Sequence, residues 1–134
     1  MEQLRSPALQ LGMALPQEVV ARGGRTREAG ATGFAELMSR RHRPDAVFCG
    51  NDVVAAGAME KAHELGFDIP CDVALVGHGD APFASLVRLR PTTIRYPAAE
   101  AARAAARLLT ERPDGREGHK TVQVEAEFVA LSSV

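Results

Sequence analysis

The chain has 134 residues, 46% of them hydrophobic, which suits a single domain that buries a core without staples. Its 16 Lys and Arg balance 17 Asp and Glu to a net charge of -1, and it contains one Tyr and no Trp. This excludes a basic nucleic-acid face or an aromatic stacking platform within the chain, and no run is apolar and long enough to cross a membrane.

Leu4, Ala8, Leu11 and Leu15 are spaced like one helix face, interrupted by Pro7 and with no N-cap before it, as expected of a helix whose beginning lies upstream. Charges and an early proline do not fit a signal peptide. Pro16–Glu18 is a turn and Val19–Ala21 a short strand candidate. Thr26 is placed to cap a helix carrying Ala29, Ala35, Leu37 and Met38. The basic cluster Arg40, Arg41, His42 and Arg43 reads as the carboxyl end of that helix rather than as a phosphate site.

The stretch Arg43–Leu65 reads as one strand, one tight turn and one helix. Ala46, Val47, Phe48 and Cys49 form a short apolar run, as expected of a parallel strand covered on both faces. Gly50 closes the strand, Asn51 and Asp52 are good N-cap types, and a helix runs from Val53 to Leu65 with Gly66 at the left-handed C-cap position. Asn51 therefore puts an amide at the carboxyl end of a strand beside the free N–H groups of a helix start, where open α/β sheets bind ligands. On this stretch alone it reads either as a plain cap or as a ligand contact.

Val73–Val76 is a second buried strand, followed by Gly77-His78-Gly79-Asp80 at its carboxyl end. Ala81–Val87 reads as a short helix, and Pro91–Ile94 as a third strand. Ala98–Glu111 is an Ala-rich helix former. Pro113-Asp114-Gly115 marks a turn, and Thr121–Val124 and Phe128–Leu131 are strand candidates. Cys49 and Cys71 sit in or beside strands and read as two buried thiols of a reducing cytosol. Alternating strands and helices predict an α/β fold with a doubly wound parallel sheet. Asn51, His78, Asp80 and Tyr96 are candidates to converge at one sheet edge. No metal-ligand spacing, nucleophile elbow, phosphate loop or dinucleotide fingerprint is present, so neither a cofactor nor catalysis is expected. Asp80 and His78 could pair as acid and base, but no nucleophile accompanies them.

Three stretches together resemble the effector-binding domain of LacI/GalR-family transcriptional regulators: Pro44–Ala58, Gly66–Gly77 and Thr92–Pro97, in that order and spacing. The resemblance implies a periplasmic-binding-protein-like fold of two α/β lobes clamping a small molecule. This chain is similar mostly to the carboxyl-terminal lobe: about residues 1–95 and 128–134 are expected there, and about 96–127 in the other lobe. It also implies operator DNA bound through a helix-turn-helix headpiece absent from this chain, a cytoplasmic homodimer and no membrane partner.

By matching positions, the resemblance implies ligand contacts from Asn51, Asp52, His78, Asp80 and Tyr96, and a dimer interface using Ala55, Met59, Phe83, Leu86 and Val87. Gly79 stands where the family commonly has an acidic residue that bonds ligand hydroxyls. The resulting Gly-x-Gly-Asp form resembles gluconate-repressor-like members, which implies a sugar acid. The function expected is sensing of a sugar or sugar acid by a regulator, without catalysis. The alternative is a periplasmic-type sugar receptor of a transport system.

Overall fold

The computed structural model describes residues 10, 12, 19–81, 90–111 and 120–134. Within them the order is α1 (Arg27–Met38), β1 (Ala46–Phe48), α2 (Asp52–Glu64), β2 (Ala74–Gly79), β3 (Thr92–Arg95), α3 (Ala98–Thr110) and β4 (Glu127–Val129). The four strands form one sheet in the order β1-β2-β3-β4. The first three are parallel, and β4 returns antiparallel to β3. The expected parallel α/β sheet is therefore present, with an antiparallel strand added.

The helix boundaries follow from local chemistry. Thr26 caps α1 by accepting the Ala29 N–H, and Asn51 caps α2 by accepting the Val54 N–H at 2.8 Å. The far end of α2 closes in a Schellman arrangement. Gly66, at φ +79°, donates to the His63 carbonyl, and Phe67 donates to the Ala62 carbonyl. At the end of α1, Arg40 pairs with Glu36, and the Arg43 guanidinium lies over the Phe67 ring. The basic cluster lies beyond the last turn of the helix, which itself holds no basic residue, and reaches back to it only through Arg40.

Both α1 and α2 pack on one face of the sheet. Phe34 and Met38 of α1 meet Ala55, Ala58, Met59 and Ala62 of α2 over Cys49, Val73 and Leu75. The helices touch backbone to backbone through two glycines. A Cβ on Gly57 would lie 1.9 Å from the Arg27 carbonyl oxygen, and one on Gly30 would lie 2.0 Å from that of Val54. At the opposite end of the sheet Ser133, fully buried, stitches β2 to β3. Its Oγ accepts from the Thr92 N–H at 2.7 Å and donates to the Leu75 carbonyl at 2.5 Å.

Several sequence expectations change. Val19–Ala21 and Thr121–Val124 pair with no strand; short apolar or alternating runs become strands only where a neighbour accepts their backbone. β1 is not covered on both faces. It is an edge strand, and Phe48 is 46% exposed on the side away from the helices. Cys71 is exposed, while Cys49 is buried as expected. The stretches Leu4–Leu15 and Ala81–Val87 fall largely outside the described residues. Helix α3 forms where expected but buries none of its residues, and Leu109 is 77% exposed.

The glycine seam gives a direct test. Gly57→Ala must push the two helices apart, because the obstacle is backbone, and should cost about 3 kcal/mol in urea unfolding. Gly50→Ala meets open space and should change stability by less than about 0.5 kcal/mol.

Candidate functional site

The carboxyl ends of β2 and β3 and the amino end of α2 meet at one edge of the sheet. What joins them is Asp52, which is 2% exposed. Its Oδ1 accepts from the Thr93 hydroxyl at 2.8 Å, and its Oδ2 accepts from the Ala81 N–H at 2.6 Å. As the first residue of α2 it also sits on the positive end of the helix dipole. Gly77 of β2 passes directly beside it: a Cβ there would come within 2.4 Å of Oδ1. The chain then turns through Gly79 at φ +125° and Asp80 at φ +52°. The latter is a left-handed conformation that a non-glycine residue adopts only when its surroundings hold it there. Two contacts do so: the Asp80 N–H donates to Thr93 Oγ1 at 3.3 Å, and Asp80 Oδ2 accepts from Arg95 Nε at 2.6 Å.

Of the expected ligand contacts, Asn51, Asp80 and Tyr96 lie at this edge. Asn51 is half-buried and spends its Oδ1 on the Val54 N–H, leaving the amide nitrogen of the side chain. Tyr96 is 51% exposed just after β3. His78 is half-buried within β2, paired in register with Ile94. Strand alternation turns it to the face opposite α2, since Leu75 and Gly77 face the helices.

The fifth expected contact, Asp52, is buried, and both of its carboxylate oxygens are bonded within the chain, so it shapes the edge from behind. Two of the expected interface residues are buried within the chain. Ala55 is 0% and Met59 8% exposed, because both sit on the face of α2 turned into the core. Phe83, Leu86 and Val87 lie outside the described residues.

Sequence reading missed Arg95. It bonds Asp80 on one side and donates from Nη1 to Glu127 Oε2 at 2.7 Å on the other. Asp80 first and Glu127 second hold its guanidinium protonated even more firmly than usual. These partners are 15 and 32 residues away, so no local spacing signalled them. Among the described residues, no cluster of three or more His, Cys, Asp or Glu is arranged to hold a metal.

Cys49 lies behind this edge. Burial, and then the negative charge of Asp52, push its thiol up to about 12. The exposed Cys71 thiol is raised chiefly by its hydrogen bond to Asp68.

Three measurements follow from this geometry. Asp52→Asn exchanges an acceptor for a donor where two donors already point, so it should cost about 2 kcal/mol and speed amide exchange at Ala81. A thiol reagent at mildly alkaline pH should label Cys71 and leave Cys49 untouched until the chain unfolds. The neutral Cys49 thiol favours the folded state: its contribution is complete below the ordinary thiol value of 9.0 and is lost as pH rises towards 12. Denaturant titrations over that range should therefore show falling stability.

The whole chain, residues 1–134, matches the periplasmic binding protein-like domain family. Over 123 residues it is 32% identical to the HTH-type transcriptional repressor PurR of Klebsiella pneumoniae (strain 342), covering 91% of this chain and 36% of that protein. It superposes on a sugar-binding transcriptional regulator of the LacI family from Escherichia coli, complexed with phosphate, with a TM-score of 0.84 and 26% identity over 96% of this chain and 46% of that one. It also superposes on the transcriptional regulator CelR in a cellobiose complex, with a TM-score of 0.85 and 28% identity over 97% of this chain and 40% of that one. The chain thus spans about a third of the length of the curated repressors it matches. Those relatives are transcriptional regulators, not enzymes. This chain belongs to the periplasmic-binding-protein-like domain family, and its relatives there are LacI-type transcriptional regulators.

Proposed function

We propose that this chain forms one wall of the effector site of a LacI-type transcriptional regulator, with a sugar or sugar acid as effector and no catalysis. The observation that carries the reading is the edge where the start of α2 and the ends of β2 and β3 meet. It presents Asn51, Asp80 and Tyr96 on a scaffold tied together by Asp52. The sugar-binding and cellobiose-bound structural relatives support the ligand class. The bare face of α3 supports a second lobe carrying about residues 96–127, since a helix with an apolar stripe needs a surface to bury it. Effector binding between two lobes would act by favouring one lobe arrangement over another.

The regulator would act on operator DNA through a separate headpiece, as a cytoplasmic homodimer. Among the described residues no helix is long and apolar enough to cross a membrane. The transport-receptor alternative finds no support among relatives named as transcriptional repressors.

A titration followed by amide resonances tests the reading. One wall buries only part of a ligand, so affinity should be about millimolar. Cellobiose should move the signals of Asn51, Asp80 and Tyr96 and leave those of α1 still. Asn51→Ser keeps a cap of equal quality, so stability should hold within about 0.5 kcal/mol while the ligand response falls. Shifts confined to other surfaces, or an unaltered response in Asn51→Ser, would leave Asn51 as a cap alone.

A further inference from the structure

Resting on the reading of this edge as an effector wall, the charges around Arg95 say which effectors it accepts. Among the described residues, Arg95 is the one cation that hydrogen bonds tie to the edge. Both of those bonds go to carboxylates: Nε to Asp80 at 2.6 Å and Nη1 to Glu127 at 2.7 Å. Asp52 adds a third carboxylate behind them, fixed by its own bonds to Thr93 and Ala81. The other ion pairs of the described residues, Arg27–Glu60, Arg40–Glu36, Lys61–Glu64 and Lys120–Glu111, involve none of these residues.

We propose that Asp80 and Glu127 are specificity-determining residues that neutralise Arg95 and close this edge to anionic effectors, so that the ligand meeting it is a neutral polyhydroxy compound. A carboxylate or phosphate arriving here would have to displace one of two carboxylates already on the guanidinium, and would meet the repulsion of the displaced group. A hydroxyl-rich neutral ligand meets no such barrier. It can donate to the carboxylates, which accept at several lone-pair sites each, and accept from the remaining guanidinium hydrogens. The backbone favours this arrangement too. Asp80 is held in the left-handed region by the Thr93 contact, so its carboxylate is positioned before any ligand arrives. This selects against the sugar acid that the Gly-x-Gly-Asp form suggests.

The test compares cellobiose, gluconate and inorganic phosphate on the 134-residue chain at fixed low ionic strength, following the amide signals of Asn51, Asp80 and Tyr96. Cellobiose should bind at least about fivefold more tightly than gluconate or phosphate, the factor expected from one exposed charge contact. In Asp80→Asn/Glu127→Gln the anions should gain about that factor, and adding Arg95→Gln should remove the gain. Glu127→Gln alone, on a 65% exposed side chain, should give a smaller gain in a chain whose spectrum is otherwise unchanged. Gluconate binding the unaltered edge as tightly as cellobiose, or folded variants gaining nothing, would overturn the selectivity while leaving the effector wall standing. Silence of the edge towards all three ligands would overturn the wall and the selectivity together.

Discussion

The Asp52 carboxylate is the contact on which this edge of the sheet depends. It gathers three separate pieces of chain: the start of α2, the Thr93 hydroxyl of β3, and the Ala81 amide after β2. A buried carboxylate is costly to desolvate, and the cost is offset here by two short hydrogen bonds and by the helix dipole at its own position. The same group dictates its neighbours. Gly77 must lack a side chain because Asp52 occupies the space, and Cys49 stays a neutral thiol partly because Asp52 is near. Removing the carboxylate would therefore disconnect the edge as a unit, whatever it did to any single contact.

Behind that edge the scaffold is rigid for a different reason. Gly30 and Gly57 let α1 and α2 approach until backbone meets backbone, and Phe34, Ala58 and Ala62 fill the space around the seam. A close helix pair resists sliding because any shift drives a Cα into a carbonyl. This pair fixes the position of the α2 amino terminus, and so of Asn51. Other parts of the chain leave apolar surface exposed. Helix α3 buries nothing, and Phe48 and Phe128 are exposed on the sheet. A tight core on one face with apolar surface elsewhere is what the proposed second lobe would cover. That agrees with relatives about three times longer than the matched segment.

Binding at such an edge is decided by charge as much as by shape. Asn51 and Tyr96 offer uncharged polar groups, whereas Asp80, Arg95 and Glu127 form an ion cluster whose members already satisfy one another. Exposed pairs of this kind add little to stability. Their consequence lies in what they leave available: a guanidinium held between two carboxylates is still a hydrogen-bond donor but no longer a free positive charge.

Much of this was legible in the residues themselves. The caps at Thr26 and Asn51, the left-handed Gly66 and the Ala-rich helix each follow from interactions spanning a few residues, and each formed where expected. The fold family was legible because Asn51-Asp52, the glycines after β2 and the Thr-Thr strand recur at fixed spacing. The directions of the side chains were not. Asp52 and Asn51 are adjacent and equally polar, yet one turns inward to Thr93 and the other caps at the rim; the difference depends on a hydroxyl 41 residues away. Ala55 and Met59 went into the core for the same kind of reason, because the face of α2 that is buried is chosen by where Gly57 meets Arg27. Arg95 gained its role only when β2 and β4 came to flank β3. Local sequence determined the elements and their ends, since caps and turns are short-range. Tertiary structure decided which polar groups are used up inside the chain and which stay at its surface, since hydrogen-bond partners distant in sequence are assigned only when the strands are side by side.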